Sequence, residues 1–95
     1  MPVFKGRDSG IITGIPLSIP STINSFSIVN SSGGSATVTV SISDKDELEI
    51  TPITAIDYTL AAGQAYIRSS PILVLSNYKI YIDASAQIDF YFSII

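Results

Sequence analysis

The chain has no cysteine, no histidine and no tryptophan, and a single methionine. Each absence closes off some chemistry. Without cysteine there is no disulfide framework and no thiolate metal site. Without histidine as well, a zinc site lacks its usual ligands, and the common nucleophilic triads lack their base. Charge is also scarce. Only 14% of the 95 residues are Asp, Glu, Lys or Arg, against about 25% in an average soluble domain. The basic residues Lys5, Arg7, Lys45, Arg68 and Lys79 are scattered, and the formal net charge is −3. Nucleic-acid binding draws on a clustered basic patch, so no direct nucleic-acid contact is expected. Apolar runs are short. None approaches the roughly 18 residues of a membrane-spanning helix, so no membrane partner is expected. The opening MPVFKGRDSG lacks the apolar region of a secretory signal. No phosphate-cradling glycine motif occurs. No stretch places apolar residues at i, i+3, i+4 and i+7, so little or no helix is expected.

What is present is alternation. In SFSIVNSSGGSATVTVSIS, Phe26 and Ile28 share one side of the chain, and so do Val38, Val40 and Ile42. Side chains alternate across a strand, so both runs read as half-buried strands. Asn30, Gly33 and Gly34 supply turn chemistry between them, and the stretch predicts a β-hairpin. Residues 1–10 have no clean period and predict an extended arm. Residues 11–19 contain Pro16, which suits an edge or bent strand. Strands are expected around Leu48 and Ile50, over 54–60, 65–68, 72–75 and 78–84, and from Gln87 to the end. Ala84, Ser85 and Ala86 read as a turn between the last two. About eight short strands at such intervals predict an all-β fold, a two-sheet antiparallel β-sandwich of jelly-roll or Ig-like type. The expected organisation is an arm over 1–10 and one sandwich domain over 11–95.

No catalytic set emerges. Residues 44–49, DKDELE, hold four of the eight carboxylates but lack the ligand spacing of a calcium loop. They read as a solvated turn that guards a strand edge. Asp57, Asp83 and Asp89 fall at outward strand positions, where carboxylates solubilise. No group combination offers acid, base and oxyanion donor together. The expectation is therefore a non-enzyme with no cofactor and no metal. A small domain with so few charges leaves uncharged surface that another protein can cover. Tyr81, Tyr91 and Ile95 fall out of phase with the apolar sets of their strands. Tyrosine suits interfaces because its ring is apolar and its hydroxyl still hydrogen-bonds. With Phe4, Lys5 and Arg7 of the arm, they are the candidate interface residues.

Several pieces together resemble small all-β virion proteins of tailed bacteriophages. They are Val29-Asn30-Ser31-Ser32, Ser35-Ala36-Thr37-Val38-Thr39-Val40, and Tyr58 to Ile67 (YTLAAGQAYI). Ile72 to Leu75 (ILVL) and Ile80 to Asp89 (IYIDASAQID) complete the set. The resemblance lies in turns and strand phases from about Asn24 onward. Its departures are Ser76-Asn77, where such proteins often carry Gly-Asp, and the unmatched residues 1–10. It implies a virion location and a capsid decoration (cement) subunit. Such a subunit would contact the major capsid protein or other virion subunits as a homo-oligomer, with a trimer favoured. A neck, tail or fibre component is the nearest alternative. A carbohydrate-binding β-sandwich is the alternative of another class.

Overall fold

The structure, a computed structural model, describes residues 3–95. Among them there is no helix and there are eight strands. These are β1 (Val3–Thr13), β2 (Ser21–Asn30), β3 (Ala36–Asp44), β4 (Ile50–Pro52), β5 (Tyr58–Leu60), β6 (Ala65–Arg68), β7 (Ile72–Val74) and β8 (Tyr78–Ile94). Every pairing is antiparallel. The hydrogen bonding runs through one curled sheet, of order β4-β3-β8-β2-β6, with β1 on β8, β5 on β3 and β7 on β2.

β8 holds this sheet together. It is 17 residues long, and its two parts have different partners. Its first part pairs β3, from Asp44↔Tyr78 to Val38↔Ala84. Its second part pairs β2, from Asn30↔Ile88 to Ile23↔Ile94. β1 follows both parts along the opposite edge, with Val3↔Ser93 at one end and Thr13↔Tyr81 at the other. The corner falls between Asp8↔Ile88 and Gly10↔Ala84, where β8 advances further than β1. Gly10 has φ 77° there, a left-handed conformation that glycine adopts without a Cβ clash. A bulge of this kind bends both strands, and the sheet doubles over. The turn expected at Ala84, Ser85 and Ala86 is this bend inside a single strand. Even-numbered residues keep facing inward through it, from Ile80 to Ile94.

The hairpin expected over residues 25–43 is not formed. β2 and β3 lie along the same edge of β8, one at each end, and no ladder joins them. The segment between them is an arch that carries the chain from one half of the sheet to the other. Alternation fixes which face of a strand is buried, and an arch and a hairpin bury the same faces.

The two halves close on one core. Ile23, Phe26, Ile28, Ile88 and Phe92 come from the β2 half, and Val38, Val40 and Ile82 from the β3 half. Phe26 and Phe92 stack at 4.8 Å between ring centroids. Burying such a side chain contributes about 1.5–3 kcal/mol.

From Val3 onward, the expected arm is the first part of β1, and the boundary at residue 10 falls inside that strand. Its period is hidden because Gly6 occupies an inward position beneath the ring of Phe90. β1 stops at Thr13. Residues 14–20 continue without a ladder but stay tied to β8: Gly14 N–H donates to the Ile80 carbonyl (2.9 Å) and Leu17 N–H to that of Tyr78 (3.1 Å). The strand expected over 54–60 shortens to β5, because Asp57 takes φ 55° and leaves Ile56 exposed.

Candidate interaction surface

The registers place four of the six candidate residues on one outer face. On the β2 half, odd-numbered residues of β1 and β8 point away from the core. One row across the sheet reads Lys5, Tyr91, Ser27, Ile67. The next reads Arg7, Asp89, Val29, Ala65. Toward the chain end, Ile95 exchanges two backbone hydrogen bonds with Thr22 (2.8 and 3.0 Å), and Thr22 pairs Leu73. Tyr91, Ile67, Leu73 and Ile95 are all exposed, Ile67 at 73%. This face therefore combines large apolar side chains, one tyrosine and small serines. Among the described residues, its one ion pair is Arg7 to Asp89.

That pair is bidentate. Arg7 Nε donates to Asp89 Oδ1 at 2.5 Å and Arg7 Nη2 to Oδ2 at 2.9 Å. The hydrogen bond from Arg7 holds the Asp89 carboxyl below the usual carboxylate range, and the bond to Asp89 raises Arg7 in turn. The Arg7 side chain is 63% exposed and that of Asp89 40%, so the pair fixes side-chain geometry more than it stabilises the fold. It sets a planar charged plate beside the apolar row.

The other two candidates lie elsewhere. Phe4 points inward, with its ring 4.9 Å from that of Phe90 and 5.9 Å from that of Phe92. Tyr81 is half-buried on the outer face of the β3 half, in the row Thr13, Tyr81, Ser41, Pro52.

An apolar groove of about 310 Å³ opens at the mouth of the doubled sheet. Val3 and Phe4 form one wall, and Thr13, Gly14, Ile15 and Leu17 the other. The two ends of β1 thus flank it. Ile15 stands on its rim, 88% exposed.

The residue that sequence reasoning missed is Asn30. The sequence reads it as turn chemistry in a hairpin, yet its side chain is buried. Its Nδ2 donates to the carbonyls of Gly34 and Leu60, and its Oδ1 accepts from Ser32. The signal was its phase, since Asn30 continues the inward series of Phe26 and Ile28.

In the acidic turn 44–49, Asp44 Oδ1 accepts from the Leu48 N–H at 2.8 Å, and Glu47 pairs Lys79 at 2.9 Å. Among the described residues, no group of three or more Asp or Glu is arranged to hold a metal ion. No family model, no curated protein and no solved structure matches this chain.

Proposed function

We propose that this chain is a non-enzymatic structural subunit that works by burying its surface against other proteins. The observation that carries this reading is the outer face of the β2 half. There Ile67, Leu73, Tyr91 and Ile95 are exposed together on a rigid sheet. Apolar area buried there contributes about 25 cal/mol per Å². Repeated over many copies in an assembly, even a small contact accumulates. The doubled sheet is read as a β-sandwich of jelly-roll type, in which β1 and β8 belong to both layers.

The form of assembly rests on the resemblance of strand phases and turns alone. On that basis the chain is a decoration subunit on the head of a tailed bacteriophage, bound to the major capsid protein, with a neck, tail or fibre position as the second reading. Electron microscopy of virions labelled with an antibody to the chain tests this. Regular label over the head supports decoration. Label at the neck or tail supports the second reading. Particles without label, together with specific binding of the purified chain on a glycan array, overturn both in favour of a carbohydrate-binding module.

A further inference from the structure

The backbone of β1 has one side in use and one side open. In an antiparallel ladder, successive residues direct both backbone groups alternately to one neighbour and then to the other. Ile95 and Gln87 direct theirs to the β2 side of β8. Even-numbered residues of the second part of β8 therefore bond to β1, through Phe4, Gly6 and Asp8. The Gly14 N–H to Ile80 carbonyl bond continues the same phase through Gly10 and Ile12. Val3, Lys5, Arg7, Ser9, Ile11 and Thr13 are left aiming their N–H and C=O groups at the open edge. Consistently, the Ser9 N–H is free to bond Asp8 Oδ1 at 2.8 Å.

An open edge of this length is a template for another strand. A straight foreign strand does not fit it, because β1 bends at Ser9 and Gly10. Only a strand with the same bend can pair on both sides of the corner. A second β1, run antiparallel with its bend at the same point, has that shape.

We infer that a second copy of this chain pairs with the open edge of β1 about a two-fold axis at Ser9. The bend between Asp8 and Gly10 centres the axis at Ser9, and charge disfavours shifting it toward the start of β1. Axes at Lys5, Arg7 or Asp8 set a charged residue opposite its own copy, and an axis at Gly6 sets Lys5 opposite Arg7. Like charges directly opposite are destabilising. The axis at Ser9 sets Arg7 opposite Ile11 of the second copy and Lys5 opposite Thr13. It also brings two exposed apolar residues together, Val3 and the Ile15 of the second copy. Those residues line the groove of each chain, so the pairing covers both groove mouths. Ile11 pairs Asp83 within its own chain, which sets Asp83 of the second copy beyond Ile11, facing Arg7 and diagonal to Lys5. Among the described residues, neither Lys5 nor Asp83 has an ion pair in the single chain. The bend itself stays unpaired, with each Ser9 N–H held by its own Asp8.

This deepens the structural-subunit reading by naming the first partner as a second copy, and it is two-fold where the resemblance favoured a trimer. The test is sedimentation equilibrium combined with single-cysteine cross-linking in the full chain, which has no cysteine of its own. The wild type is expected at twice 10.1 kDa. Ser9→Cys lies on the axis, where each copy of residue 9 faces the other between paired flanks, within disulfide range. It is expected to cross-link rapidly. Lys5→Cys and Ser27→Cys are expected not to. Ile11→Pro removes an edge-facing donor and no ladder bond within the chain. It is expected to raise the dimer dissociation constant about tenfold. Amide exchange on the unmodified chain adds a readout without substitution: Lys5, Arg7, Ile11 and Thr13 slow with concentration. A monomer at every concentration, a trimer, or faster cross-linking through Ser27→Cys overturns the inference. Antibody label on virions alongside such a result leaves the structural-subunit reading standing and removes only this pairing.

Discussion

The side-chain amide of Asn30 donates to the carbonyl of Leu60 at 2.9 Å, across 30 positions of sequence. The same nitrogen reaches the Gly34 carbonyl at 2.7 Å, and its oxygen accepts from the N–H and hydroxyl of Ser32. The backbone adds two bonds to the β5–β6 turn, from Asn30 N–H to the Gln64 carbonyl and from Gly63 N–H to the Asn30 carbonyl, each 3.0 Å. One buried polar residue therefore fastens the arch to the turn that follows β5. Asn30→Ala leaves the Leu60 carbonyl without its donor and is predicted to destabilise the fold by about 2–4 kcal/mol. Urea unfolding should show a lower midpoint at an unchanged slope. Asn30→Asp keeps the shape, loses both donors and adds a buried charge, so it should be at least as damaging.

Gly6 faces Phe90 across the β1–β8 ladder. A Cβ at residue 6 would stand 3.0 Å from Phe90 Cζ, so tight that the ring must give way by a few tenths of an ångström. The neighbouring Phe4 ring leaves Phe90 little room to withdraw. Gly6→Ala is predicted to destabilise by about 1–3 kcal/mol through overpacking. Gly6→Ala with Phe90→Leu should recover part of that loss. Thermal midpoints of the single and double variants are the measurement.

These two residues show where sequence reading succeeded and where it stopped. Alternation located the inward faces of β2, β3 and β8 because apolar side chains alternate with polar ones along each strand, even where Ser41, Ser43 and Lys79 on the other face are buried as well. It also placed Tyr91 and Ile95 outside. It could not tell an arch from a hairpin, since the pairing partner leaves no mark on the period. Gly6 concealed β1 because an inward glycine beneath an aromatic ring reads as a break. Asn30 looked like turn chemistry because asparagine is common in solvated turns, and its burial depends on Leu60, a partner distant in sequence. The grouping of Lys5, Arg7, Tyr91 and Ile95 on one face needed the register of three strands.

The Arg7–Asp89 pair sets a pH dependence whose sign follows from its geometry. The carboxyl of Asp89 titrates lower in the folded chain than in the unfolded chain, because Arg7 donates to its charged form. The unfolded state therefore binds the proton more readily. The stabilisation is fully present above the ordinary carboxylate range and is lost as pH falls through the lowered folded value. Carboxyl carbon NMR should place Asp89 below the ordinary carboxylate range. Arg7→Gln should move Asp89 up toward the usual range, and added salt should weaken the effect, since the pair is solvated.

Ser43 is fully buried on β3, between the cross-strand neighbours Ile50 and Lys79. Among the described residues its hydroxyl has no hydrogen-bond partner. A buried polar group without a partner is a liability. Ser43→Ala removes it at almost no change in volume and is predicted to be neutral or to stabilise by up to about 1 kcal/mol. A lower denaturation midpoint would show that the hydroxyl is satisfied after all.

Lys79 is 7% exposed, and its ammonium lies 2.9 Å from Glu47 Oε2. The two partners are not equivalent. The side chain of Glu47 is 40% exposed and can rehydrate if left alone, whereas that of Lys79 is 9% exposed and cannot. Removing the carboxylate strands a mostly buried cation. Removing the ammonium frees a carboxylate into water. Glu47→Gln is therefore predicted to destabilise by about 1–3 kcal/mol. Lys79→Met keeps the apolar stem in place and should change stability by less than about 1.5 kcal/mol. Glu47 also holds φ 59°, a conformation that disfavours any residue with a Cβ by about 1–2 kcal/mol. In the Lys79→Met background the carboxylate has no partner left to hold. Glu47→Gly should then be neutral or stabilising, although in the wild-type background it discards the pair. Chemical denaturation of the four chains in this double-mutant cycle separates the pair from the backbone strain. If Glu47→Gly behaves alike in both backgrounds, the ion pair contributes nothing and the strain alone decides.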